Sequence, residues 1–103
     1  MTDSTQGIRP SVALHENRAA IRRLVARHRS TDPKVFGSVA RGTDHADSDL
    51  DILVVTLPDA TLFDLGGLQM ELEAMLNVRV NVLTAEELPL RWRTNALAEA
   101  IPI

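Results

Sequence analysis

The chain contains no cysteine, which removes disulfide staples, thiolate chemistry and cysteine-ligated zinc from consideration. No apolar run approaches the roughly 18 residues that a membrane span requires. The first ten residues, MTDSTQGIRP, are polar and lack the apolar stretch of a secretory signal. Internal repeats, linkers and low-complexity segments are missing too. Aromatic residues are scarce, at 3%, and Trp92 is the sole tryptophan. What is present is ordinary for a folded domain: 103 residues, 45% hydrophobic and 24% charged, a length and an apolar content that suit one globular unit and argue against disorder. The expectation is a soluble, cytoplasmic chain with a flexible leader over residues 1–10 and a single domain over residues 11–103.

A formal charge of −3 conceals an asymmetry. Near the N-terminus Arg9, Arg18, Arg22, Arg23, Arg27 and Arg29 face only Asp3 and Glu16, whereas the remainder of the chain is acidic. A basic stretch can serve nucleic-acid contact. These arginines fall on a helical pattern with few aromatics nearby, so they read as a solvated helix face, and no direct nucleic-acid binding is expected.

Hydrophobic spacing sets out the elements. Leu14, Ala20, Ile21, Leu24, Val25 and His28 recur at helical intervals from Ser11 onward, and Pro33 marks a stop. Lys34–Phe36 reads as a short strand. Gly37–Ser48 is turn-forming, with one helical turn around Val39–Arg41. The β-branched run Leu50–Leu57 is the strongest strand, ended by Pro58. Thr61–Leu76 reads as a core helix weakened by Gly66-Gly67. Val78, Val80 and Val82 alternate as a half-buried strand, and a last helix runs from Pro89 to about Ala100. Helix, strand, strand, helix, strand, helix predicts a small α/β (α+β) domain with a three-stranded core sheet covered by helices.

Two segments carry chemistry. Gly37-Ser38 follows a strand directly, where glycine permits close backbone approach and free amides with a hydroxyl suit an anion. Ten residues on, Ser48-Asp49-Leu50-Asp51 opens the strongest strand. Positions i and i+2 of a strand share a face, so Asp49 and Asp51 project together while Leu50 and Ile52 enter the core. Paired carboxylates call for a positive partner, and all-oxygen ligation favours a hard cation such as Mg²⁺ bridging carboxylates and phosphates. An acidic strand edge explains an isolated Asp-x-Asp equally well, but it leaves the glycine-serine turn unexplained. A phosphate cradle beside a carboxylate pair is the layout of metal-assisted phosphoryl or nucleotidyl transfer.

Gly37-Ser38-x-Ala40-Arg41-Gly42 followed by Ser48-Asp49-Leu50-Asp51 resembles the signature of the DNA polymerase β-like nucleotidyltransferases, above all their minimal branch (MNT), the antitoxins of HEPN/MNT toxin–antitoxin pairs. The resemblance implies a small nucleotidyltransferase fold with a three- to four-stranded mixed sheet. It implies that Gly37, Ser38, Arg41 and Ser48 form the nucleotide-binding side for ATP. Asp49 and Asp51 would be metal ligands for Mg²⁺. The implied activity is transfer of AMP to a hydroxyl, in this branch a tyrosine, of a HEPN toxin ribonuclease, in a hetero-oligomer whose partner completes the site.

One position departs from that pattern. The family expects a third aspartate on the next strand, where Val80-Asn81-Val82 stands here. An amide offers a carbonyl oxygen to a cation but cannot act as a general base, a loss of roughly 10²–10⁴-fold in rate where a base is needed. Asn81 therefore keeps a second function open, an antitoxin that neutralises its partner by binding alone. His45, between the motif halves, is a substitute base or an exposed loop residue. His15 and His28 read as structural or surface residues, and Asp44 and Asp47 as loop solvation and turn formation. Trp92 and the apolar end Ile101-Pro102-Ile103 complete the core or form a partner surface.

Overall fold

Residues 8–103 are described by a computed structural model. The expected leader falls mainly on residues 1–7, which lie outside the described residues, and Pro10 opens the first helix. In place of one N-terminal helix there are two, α1 (Pro10–Glu16) and α2 (Arg18–Arg27). The break is at Asn17, with φ −129° and ψ 22°. Its side-chain Nδ2 donates to the Ala13 carbonyl at 2.8 Å, a side-chain bond that competes with the helical ladder.

The first strand, β1 (Ser30–Phe36), extends well beyond the expected Lys34–Phe36 and runs through Pro33. Pairing skips between Thr31 and Lys34, and Asp32 adopts φ 56°. At such an irregularity a proline with no N–H to donate is tolerated inside a sheet. The turn then carries α3 (Ser38–Arg41), and β2 (Leu50–Thr56), α4 (Leu62–Leu76) and β3 (Val80–Leu83) follow. The Asp64 carboxylate accepts from the Thr61 amide at 2.8 Å and fixes the start of α4. That helix continues through Gly66-Gly67, and a Cβ on Gly67 would lie 3.1 Å from the His28 ring. His28 packs in that space, its Nε2 3.1 Å from Glu71 Oε1. A 3-10 turn over Ala85–Glu87, opened by the Thr84–Glu87 capping box, leads to α5 (Leu90–Glu99) and β4 (Ile101–Pro102).

Four strands form one mixed sheet in the order β3-β2-β1-β4. β1 is antiparallel to β2 and β4, while β2 and β3 are parallel, joined by α4 as the crossover that parallel neighbours need. One face packs Leu50, Ile52, Val54, Val80 and Val82 against Ile21 and Val25 of α2 and Leu68, Leu72 and Leu76 of α4. The opposite face has a smaller cluster, Leu53 with Leu88 and Ala96, so β2 is covered on both sides along its middle and open at its start. The C-terminal tripeptide divides its roles. Ile103 is buried in the main core and its amide donates to the Pro33 carbonyl at 2.9 Å, whereas Ile101 is exposed. No described helix is long and apolar enough to cross a membrane.

Leu72 is fully buried and Met70, on the same helix, is exposed. Leu72→Ala should destabilise the chain by about 2–5 kcal/mol, and Met70→Ala by less than about 0.5 kcal/mol. Urea unfolding measures both.

Candidate nucleotide and metal site

Register brings the acidic pair to its third partner. In the parallel β2–β3 ladder Asp51 lies opposite Asn81, and side chains at paired positions share a face. Alternation sends Leu50 and Ile52 into the main core, both fully buried, and Asp51 to the opposite face. Asn81 Nδ2 donates to Asp51 Oδ1 at 2.8 Å and to Asp49 Oδ2 at 3.2 Å. The other Asp49 oxygen pairs with Arg79 Nε at 3.1 Å. An amide and a guanidinium thus supply the positive character that two neighbouring carboxylates require. Burial pushes the Asp51 carboxyl above the usual value of 3.8; the Asn81 hydrogen bond and Arg41 pull it down, while Asp49 and Glu99 push it further up.

Gly37 follows β1 at φ 76° and ψ −152°, close to a region that only glycine populates readily. A Cβ there would lie 2.5 Å from Asp51 Oδ2. The glycine thus lets the turn abut Asp51. Its amide donates to Glu99 Oε2 at 2.9 Å, and Arg41 Nη1 lies 3.2 Å from both Glu99 oxygens. Ser38 opens α3 beside it. An open cavity of about 670 Å³ adjoins this turn, with Phe36, Leu88, Trp92 and Asn95 in its lining. Trp92 is exposed there, with the Arg91 guanidinium 4.7 Å from its ring centre.

Gly37, Arg41, Asp49, Asp51 and Asn81 therefore meet at one end of the sheet. Ser48 acts locally. Its hydroxyl accepts from the His45 amide at 3.0 Å, and its amide donates to the His45 carbonyl at 2.9 Å. The His45 side chain is exposed on that loop. Asp44, read as loop solvation, is instead buried, and its Oδ2 accepts from the Ser11 amide at 2.9 Å. This bond ties the motif loop to α1. Glu99 and Arg79 are site residues that the sequence does not mark. Their partners are 62 and 30 residues away in sequence (Gly37 and Asp49), so no local pattern singles them out.

The donor set fits one hard cation. Two carboxylates on one face, joined by substrate phosphates and water, suit Mg²⁺, and rotating the Asn81 amide presents its carbonyl oxygen. Among the described residues no group of three or more His, Cys, Asp or Glu gathers that could hold a metal. The Asp49–Asp51 pair is thus without a third such group beside it among the described residues.

Two outcomes follow from this geometry. Gly37→Ala should lower stability by about 1–3 kcal/mol through backbone strain, measured by urea unfolding. For Asp51, a folded pKa above the unfolded value means that ionisation opposes folding: its contribution is fully present below about pH 3.8 and is lost as pH rises through the folded pKa. Asp51→Asn should therefore gain stability relative to the parent chain as pH rises from 3 to 7 in thermal melts. A pH-independent difference contradicts this.

Comparison with known proteins agrees with the geometry. The nucleotidyltransferase domain family matches residues 18–102. A candidate protein adenylyltransferase of Methanocaldococcus jannaschii is 32% identical over 90 residues, covering 87% of this chain and 97% of that protein. A solved candidate minimal nucleotidyltransferase superposes with a TM-score of 0.81 at 43% identity, over 90% of this chain and 95% of its own. A toxin–antitoxin crystal structure with AMP-PNP shares the fold, with a TM-score of 0.71 at 20% identity, over 84% of this chain and 71% of its own. The glycine turn, the strand-borne carboxylates and the mixed sheet accordingly belong to a member of the nucleotidyltransferase domain family, with the fold of a minimal nucleotidyltransferase.

Proposed function

We propose that this chain is an MNT-type antitoxin that binds Mg-ATP and transfers AMP to a tyrosine hydroxyl of a HEPN toxin ribonuclease. The observation that carries the reading is the placement of Asp49 and Asp51 against the Gly37 turn, so close that a side chain on Gly37 would collide with Asp51. Support comes also from the adenylyltransferase name of the archaeal relative and from the AMP-PNP in the toxin–antitoxin structure that shares this fold.

The roles divide between the turn and the strand. The Gly37 amide, the Ser38 hydroxyl and Arg41 hold phosphate oxygens, with Ser48 supporting the loop at their edge. Asp49 and Asp51 hold Mg²⁺, which neutralises charge on the phosphates when bound. The acceptor oxygen forms a bond to the α-phosphorus, the bond to the bridging oxygen breaks, and pyrophosphate leaves. The hydroxyl proton passes to solvent or to a group of the partner, because the Asn81 amide cannot accept it.

A second reading rests on one contact. The Asn81 amide spans both carboxylates and already supplies part of the positive character a cation would bring. On this reading the chain neutralises its toxin by contact alone. Incubation with labelled ATP, Mg²⁺ and the HEPN partner separates the two. Label on the partner with the parent chain, and none with Asp49→Ala, is the expected result. Asn81→Asp should raise the rate by up to about 10²–10⁴-fold, the range of a restored general base. Transfer by Asn81→Asp alone overturns the first reading in favour of the second.

A further inference from the structure

The anion-binding turn is already engaged by an anion from the same chain. Glu99 is the last residue of α5; its Oε2 accepts from the Gly37 amide at 2.9 Å, and both of its carboxylate oxygens accept from Arg41 Nη1 at 3.2 Å. These are the donors assigned above to phosphate. A carboxylate presents them with the same chemistry, two negatively charged oxygens in a fork. Resting on that functional reading, we propose that Glu99 is an internal competitor for the phosphates of the nucleotide, and that nucleotide binding requires its departure from the turn.

Its surroundings make this an adverse place for a carboxylate apart from those donors. The C-terminal end of a helix carries the negative pole of the dipole and disfavours anions. Glu99 ends α5, and it adds to the negative field that the Asp49–Asp51 pair already creates. Gly37 and Arg41 are therefore what hold it, and a more highly charged phosphate competes for both. The side chain also has somewhere to go. It lines the same cavity as Phe36, Leu88, Trp92 and Asn95, the open space into which the carboxylate would turn. α5 is followed at once by β4, paired with β1, and by Ile103 in the main core, so the helix end is held and the departure is that of the Glu99 side chain alone.

The cation half of the site has the same construction. Asn81 and Arg79 occupy the carboxylates as Glu99 occupies the turn. The chain thus closes on itself with internal counter-groups for both parts of a metal–nucleotide complex. A bound cation would take over the role of these donors at Asp49 and Asp51, as phosphate would take that of Glu99 at Gly37 and Arg41.

Calorimetric titration of the whole chain with Mg²⁺ and AMP-PNP tests the proposal. Glu99→Gln keeps the size and one acceptor oxygen but removes the charge, and it should bind about tenfold more tightly than the parent, a change of about 1.4 kcal/mol. Glu99→Ala, which vacates the turn altogether, should tighten binding as well. In the parent chain the Gly37 amide resonance should shift on saturation, because its acceptor changes. Equal or weaker binding by the folded variants, or a Gly37 resonance that stays put while nucleotide binds, overturns the competitor role and leaves the nucleotide function standing. Absence of binding by parent and variants alike overturns both.

Discussion

Two carboxylates at the open end of the central strand repel each other, and the rest of the site is arranged around that repulsion. Asp51 points out of β2, Asp49 stands just before its first residue, and the Asn81 amide reaches both carboxylates. Burial makes the charge on Asp51 harder to sustain and holds its carboxyl above the usual range. The chain answers with Asn81 between the two groups and Arg79 on the outer side of Asp49. Such partners are partly exposed, and pairs of this kind contribute modestly to stability. Their effect is local: they hold the two carboxylates side by side at the mouth of the site.

The framework that holds this end of the sheet is built for position. β2 lies between β1 and β3, with its apolar residues sealed by α2 and α4 on one face. A slip of one residue in its register would turn Leu50 and Ile52 outward, so the core that stabilises the fold also fixes where Asp51 points. Gly37 completes the arrangement from β1. Phe36 pairs with Asp51 across the antiparallel ladder, and the residue after it must lack a side chain for the turn to reach the carboxylate. Core packing and site geometry are therefore set by the same two strands.

How much of this is legible in the sequence depends on the range of the interaction. Asp49-Leu50-Asp51, Gly37-Ser38 and the Val80-Asn81-Val82 alternation are local patterns, and spacing alone puts each on the correct element. The side on which Asn81 lies follows from period two, although its partnership with Asp51 needs the register of a parallel pair. The division of the first helix at Asn17 escapes a sequence reading because an asparagine at that position is a neutral surface residue until its amide is seen on the Ala13 carbonyl. Pro33 misleads in the opposite sense, since a proline that ends a helix can still pass through a strand at a bulge. Glu99, Arg79 and Asp44 are out of reach for a common reason: each acts on a group 30 or more residues distant, and nothing in their immediate neighbours distinguishes them from solvated charges.

The proposed AMP transfer places one cation and the phosphates of one nucleotide between the Asp49–Asp51 pair and the Gly37 turn. A crystal structure grown with AMP-PNP and Mn²⁺, which substitutes for Mg²⁺ and scatters anomalously, tests it directly. The expected result is one anomalous peak bridging the two aspartates, phosphate oxygens on the Gly37 amide and Arg41, and the Glu99 carboxylate withdrawn into the cavity beside Trp92. A metal and nucleotide bound elsewhere on the chain, or a fully occupied nucleotide with Glu99 still on Gly37, would contradict it.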